Sequence, residues 1–237
     1  MAGLKKRSPR IPRWKAAAQP WLTPALLIEK GKFTVKELIN AAAVRNHYGE
    51  PSHMSTAKQL DRLDRYCRHF IALSPLVVMA TSDAHGRADA SPRGDGPGFV
   101  AVLDDHTLLI PDRIGNKRAD TVLNIVENPH VGLLFLTPGI SETLRVNGTV
   151  RITIDPELLR PLSVGGKPPV CGMLVTVEEV FFHCAKALIR SDLWNPERRV
   201  PRGEFPSLGR ILADEIAGGN ADEYDRGIEE QYRTRLY

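Results

Sequence analysis

Residues 89–148, DASPRGDGPGFVAVLDDHTLLIPDRIGNKRADTVLNIVENPHVGLLFLTPGISETLRVNG, decide the fold. Short apolar runs (Phe99–Leu103, Thr107–Pro111, Val131–Leu136) alternate there with compact turns, and one helical segment, Lys117 to Asn128, interrupts them. Runs of this length bounded by Gly, Pro, Asn or Asp read as strands. Basic side chains gather at two points: Arg93 at the end of an expected strand, and Arg113, Lys117 and Arg118 where a loop enters the helix. A helix entrance presents unpaired backbone N–H groups and the positive end of the macrodipole, so added Lys and Arg make it an anion site. With Asn116 beside them, these residues suit a phosphomonoester, the kind of anion a cofactor carries.

Composition narrows what surrounds this stretch. The 237 residues suit one domain with appended arms, and 25% charged with 42% apolar residues is ordinary for a globular chain. Aromatics are only 6%, too few for a surface that binds nucleic acid by stacking. The net charge of +4 is unevenly placed: Lys5, Lys6, Arg7, Arg10, Arg13 and Lys15 crowd the first fifteen residues with no acid among them, leaving the rest close to neutral. The basicity therefore describes a tail, and nucleic acid is not an expected partner. Cys67, Cys171 and Cys184 are widely spaced with no CxxC pair, which argues against disulfides and a cysteine zinc site and fits a reducing, cytoplasmic setting. No apolar run approaches the roughly 18–20 residues of a membrane span. Pro9, Pro12, Pro20 and Pro24 break up any signal-peptide pattern.

Four regions follow along the chain. Residues 1–32 read as a flexible basic tail with an apolar patch, Trp21–Ile28, and residues 33–74 as a helical arm. In that arm Thr34 and Glu37 form a capping box ahead of Leu38 and Ile39, opening a helix that ends near Arg45–Tyr48. A second helix is expected over Ser55–Ala72, where Leu60, Leu63, Tyr66, Cys67, Phe70 and Ile71 recur at helical spacing. Residues 75–195 switch to strands. Leu76–Ser82 and Arg87–Ser91 form a hairpin about the turn Asp83–Gly86, and Pro92–Gly98 reads as an irregular crossing. Phe99–Leu103 and Thr107–Pro111 form a second hairpin, followed by Val131–Leu136, Thr143–Ile154 and Met173–Cys184. A short helix starts at Asp155-Pro156, Gly165–Pro169 is a loop, and Ala185–Leu193 is a helical turn. Residues 196–237 form a second helical arm, with helices over Ser207–Ala217 and Ala221–Arg235. Six or so antiparallel strands with one helix crossing between them make a mainly β, small-barrel fold with helical arms.

Other chemistry is weaker. His183 and Cys184 are neighbours along a strand and point to opposite faces, so they do not form a dyad, and Cys184 is expected to be a buried thiol. His47, His53, His85 and His106 fall at turns, and no spacing suggests a metal. GxSxG, P-loop and GxGxxG patterns are absent. No catalytic side chain and no metal ligand is assigned.

The segments ASPRGD (90–95), LLIPDRIGNKRADT (108–121), ENPHVGLLF (127–135), ETLRVNG (142–148) and FFHCAK (181–186), in this order, carry a resemblance. YGEPS (48–52), KQLDRLD (58–64) and QYRTRLY (231–237) extend it. Residues of about 70–195 resemble the pyridoxamine 5'-phosphate oxidase-like split-barrel flavoproteins, in particular a bacterial FMN-dependent branch. The resemblance implies a six-stranded antiparallel split barrel, and a homodimer with two FMN molecules at the subunit interface. It implies that Arg93 and Asn116-Lys117-Arg118 hold the FMN phosphate, and that Ser91, Pro92, Gly94 and Asp95 lie along the isoalloxazine edge. Thr143 falls where the pattern often has a Gln near the phosphate, with Arg145 two residues on and facing the same side. The C-terminal Arg and Trp motifs of the pyridoxamine phosphate oxidases proper are not recognisable in Trp194 or the RTRLY ending, so vitamin B6 oxidation is not carried over. The expectation is an FMN-dependent oxidoreductase with a small-molecule substrate and an NAD(P)H donor. Its rivals are a flavin carrier without turnover and an F420-dependent reductase.

Overall fold

Residues 36–216 and 218–237 are described by the structure, a computed structural model. The basic tail, Trp21–Ile28 and Thr34 lie outside these residues. Two compact units divide at Glu50–Pro51. In the first, α1 (Ala41–Tyr48) opens on Asn40, whose side chain accepts from the Ala43 N–H at 2.9 Å. Leu38 and Ile39 precede this helix and are exposed, so the expected capping box at residues 34–37 does not start it.

The second unit is built on strands whose alternate residues are apolar: β1 (Leu76–Ser82), β2 (Ala88–Gly94), β3 (Ala101–Val102), β4 (Thr107–Asp112), β5 (His130–Leu136), β6 (Thr143–Thr153) and β7 (Cys171–His183). They form one antiparallel sheet in the order β2-β1-β5-β6-β7-β4-β3, with no ladder joining β2 to β3. This is a split barrel of seven strands where six were expected, the shortest being the two-residue β3. One face is the core. Val77, Met79, Phe135, Leu144, Val146, Met173 and Val175 are fully buried, each worth about 1.5–3 kcal/mol relative to exposure. Burial pushes the Cys67 thiol up to about 12 and the Cys171 thiol up to about 11, which leaves both inert.

The helix expected over Ser55–Ala72 is broken into α2 (His53–Ala57) and α3 (Arg65–Leu73). Between them Leu60 exchanges backbone hydrogen bonds with Val180, at 2.9 and 2.8 Å, and Asp64 caps α3 by accepting from the N–H groups of Tyr66 and Cys67. Helical spacing alone carries no trace of a strand reaching out for those bonds. Strand β2 continues through Pro92 to Gly94 rather than ending at Ser91. It is an edge strand, where a proline's missing N–H is tolerated. The crossing helix α4 spans Asp120–Glu127, starting three residues later than expected. The remaining helices are α5 (Pro156–Leu159), α6 (Lys186–Ser191), α7 (Leu208–Glu215) and α8 (Ala221–Thr234). Asp225 of α8 accepts from the Gly209 N–H and the Ser207 hydroxyl, at 2.9 and 2.5 Å, fastening α8 to the start of α7. No described helix is long and apolar enough to cross a membrane.

Strands β6 and β7 slip register at Asn147/Gly148. A Cβ at Gly148 would lie 1.9 Å from the Thr176 carbonyl oxygen, so only glycine lets the two backbones approach there. Gly148→Ala should cost about 1–3 kcal/mol of stability in denaturant unfolding. Gly132→Ala, whose Cβ would meet only ordinary contacts at 3.5 and 3.9 Å, is the control and should change little.

Candidate functional site

Curling brings the free edge of β2 opposite the end of β4, and side chains span the gap. Arg93 Nε approaches Asp112 Oδ1 at 3.5 Å, while Arg113 grips Asp95 Oδ2 through Nε at 3.0 Å and a terminal nitrogen at 2.9 Å. Arg113 also donates to the Leu162 carbonyl at 2.8 Å, and the Tyr237 hydroxyl donates to Asp95 Oδ1 at 2.8 Å. Beside this seam opens a cavity of about 600 Å³, a size typical of small-molecule sites. Its walls are β2, the loop after β4, the first turn of α4, and Val170.

The loop is shaped by its backbone. Lys117 (φ 63°) and Ala119 (φ 58°) are both left-handed, a conformation costing non-glycine residues about 1–2 kcal/mol each. Asn116 Oδ1 accepts from the Arg118 N–H at 3.0 Å and holds the turn. Helical geometry is therefore impossible before Asp120. Ala119, at the N-cap, offers no side chain to the first N–H groups of α4, and that first turn lines the cavity. Ser91 and Thr121 hydroxyls, 3.0 Å apart, join β2 to α4. Asp89 is occupied by Thr81 and Asn124, at 2.7 and 3.0 Å.

The cations differ in what they are free to do. Arg118 is bound to Asp120 at 2.8 Å and Arg113 to Asp95. Among the described residues Lys117 has no ion-pair partner. Arg93 is intermediate: its Nε is buried yet hydrogen-bonded to nothing described, because the Asp112 contact is long. Burial raises Asp112 above the usual carboxylate range, and Arg93 only partly offsets this. Burial would also raise Asp95, but the Gly96 N–H, the Tyr237 hydroxyl and Arg113 together hold it below that range.

Of the residues expected at the site, Ser91, Arg93, Arg113, Asn116, Lys117 and Arg118 line the one cavity. Pro92 and Gly94 line an adjoining space of about 200 Å³, and Asp95 sits in the seam. Thr143 and Arg145 lie elsewhere. On β6 they alternate with the core residues Leu144 and Val146 and so lie on the opposite face of the strand, where Thr143 is itself buried. Arg145 pairs with Glu179 at 2.8 Å over the Phe181 ring, and its Nε is a second buried nitrogen without a partner. Cys184, expected to be buried, is exposed just past the end of β7. The Lys186 N–H, with the charges of Lys186 and Lys58, holds its thiol below the ordinary value. His183 is pushed down by burial and by the neighbouring Arg145 and Lys58. Two participants were missed. Asp112 reads as a strand-end residue until β2 is laid opposite it, and Tyr237 is 142 residues from the aspartate it binds. No group of three metal-ligating side chains occurs among the described residues.

Residues 63–184, half of the chain, match the family model described as pyridoxamine 5'-phosphate oxidase. The chain belongs to that family. No curated protein matches it. Among solved structures, HupZ from Group A Streptococcus is 21% identical, covering 50% of this chain and 92% of its own, at a TM-score of 0.43. An F420 reductase is 23% identical over 48% of this chain and 93% of its own, at a TM-score of 0.35. A pyridoxamine 5'-phosphate oxidase-related, FMN-binding protein from Nostoc punctiforme is 14% identical over 48% of this chain and 75% of its own, at a TM-score of 0.34.

The depressed Asp95 pKa makes the seam sensitive to acid. Its contribution is complete above the unfolded-state value of about 3.9 and is lost as pH falls through the lower folded value. Wild type should therefore exceed Asp95→Asn in stability at neutral pH. Unfolding curves across the acid range should show the gap closing below about pH 4.

Proposed function

We propose that the chain is an FMN-dependent oxidoreductase acting on a small molecule. The observation that carries this reading is the convergence on one cavity of the unpaired Lys117, the partnerless Nε of Arg93 and the uncapped first turn of α4. All three offer positive charge or N–H donors, and together they fit a phosphate head group. Donors fixed by a strained loop bind an anion without first having to be ordered. Ser91 lines the main cavity, Pro92 and Gly94 the adjoining space and Asp95 the seam beside them, where the small side chains and the extended backbone of β2 leave room for a flat ring system. When bound, FMN supplies hydride or single-electron chemistry, with NAD(P)H as the donor. The protein's part is to hold and orient the group; no side chain is assigned as acid or base.

Thr143 and Arg145 serve the cavity of a second subunit in a homodimer under this reading. Their place on the face of β6 opposite the core, away from this chain's own cavity, supports that placement. Asp112 opposes binding, because it competes with the ligand for Arg93.

Lys117→Ala/Arg118→Ala should fold as wild type yet purify colourless, and a visible spectrum decides it. Full yellow occupancy in that variant would refute the phosphate site. Asp112→Asn should bind FMN more tightly at neutral pH, as titration of the apoprotein by fluorescence quenching would show. Because the Asp112 pKa is raised, the wild-type carboxylate itself becomes neutral as pH falls through it, and the advantage should shrink toward acid pH.

A further inference from the structure

Three features have no task in this reading: the Gly165–Pro169 loop, Lys167 within it, and Tyr237, the last residue of the sequence. They meet at the seam. Lys167 Nζ donates to the Tyr237 main-chain oxygen at 2.9 Å, the Tyr237 hydroxyl donates to Asp95 Oδ1 at 2.8 Å, and the Arg113 guanidinium lies 5.6 Å from the centre of the Tyr237 ring. With Ile114 and Pro168 they enclose a space of about 20 Å³, enough for about one water molecule and no ligand. The contact is thus a packing junction and not a ligand site. On its other side, Arg113 and Ile114 form part of the cavity wall.

Resting on the FMN reading, we propose that Tyr237 is a positioning residue of the cofactor cavity, acting through Asp95 and Arg113 and held in place by Lys167. No backbone ladder crosses the seam, so the two sides of this wall are joined to each other by side chains, while the Asp95 N–H ties its own side to the Pro75 carbonyl at 3.1 Å. Asp95 Oδ1 has two donors, the Gly96 N–H at 2.8 Å and the Tyr237 hydroxyl. Removing the hydroxyl leaves a buried carboxylate short of one charge-assisted bond and loosens the Arg113 it anchors. Every core residue of β1, β5, β6 and β7 is untouched by that change, so the effect is confined to the cavity wall.

The test compares full-length wild type with Tyr237→Phe, which keeps the ring, and with Asp95→Asn and the double variant. Native-state hydrogen exchange on the apoprotein should show faster exchange at the Asp95 and Gly96 amides in Tyr237→Phe, with core amides unchanged and a fall in thermal midpoint no larger than that of Asp95→Asn. Fluorescence titration should show FMN binding weakened about five- to tenfold. Adding Tyr237→Phe to Asp95→Asn should change nothing further. Lys167→Met should shift both readouts in the same direction. Wild-type exchange and wild-type affinity in Tyr237→Phe would overturn the proposal, and so would a lowered midpoint with exchange faster everywhere. If wild type itself takes up no FMN, the cofactor reading fails, and the exchange comparison alone decides whether Tyr237 fixes the wall.

Discussion

Where a sheet curls without closing, two edges must be held by something other than backbone hydrogen bonds. Here Arg93–Asp112 and Asp95–Arg113 hold them, each pair joining β2 or the residue after it to the end of β4 or the residue after it. Ion pairs at such a place do two things at once. They close the fold, and they put charged, hydrogen-bonding groups along a gap that a ladder would have sealed. The cavity beside the seam follows from that gap, and so does the uneven tightness of the two pairs. Asp95–Arg113 is short, two guanidinium nitrogens meeting one carboxylate oxygen, with further partners on both sides, whereas Arg93–Asp112 is long and leaves a buried nitrogen unsatisfied. The first is the tight tie across the seam and the second the loose one.

The loop before α4 supplies the other half of the site by a different means. Two left-handed residues, neither of them glycine, delay the helix to Asp120 and set its first turn along the cavity. Strain of this kind persists only where surrounding contacts over-determine it. The Asn116 turn and the Ser91–Thr121 contact do so here. Of the cations assembled around the loop, Arg113 and Arg118 are held by carboxylates, so the count of basic residues overstates the positive charge available to a ligand.

The strands and their order along the chain were legible because alternation and turn residues are local signals. Leu76–Ser82 was read with the boundaries the structure shows, and the other long strands were read to within a few residues. What could not be read depends on distant partners. Nothing local in residues 55–72 announces that Leu60 will leave its helix for Val180. A helix beginning at Lys117 is the natural reading of NKRADTVLNIVE, since backbone strain leaves no mark on composition. Arg93 and the 116–118 corner were expected to meet, and they line one cavity. Thr143 and Arg145 were grouped with them on family likeness and lie on another face of the same chain. Asp95 is named by the family likeness, whereas Asp112, the other acid of the seam, has no pattern of its own as a lone Asp at a strand end.

Pro92 has a consequence beyond tolerance. Strand β2 is exposed along one side, and a free row of N–H and C=O groups is a template on which another chain could add a strand. Proline in the middle of that row withholds a donor from any incoming strand, and the flanking Arg93 adds bulk and charge. The bordering strand is thus guarded against open-ended sheet growth, although it must stay uncovered to form a wall of the cavity.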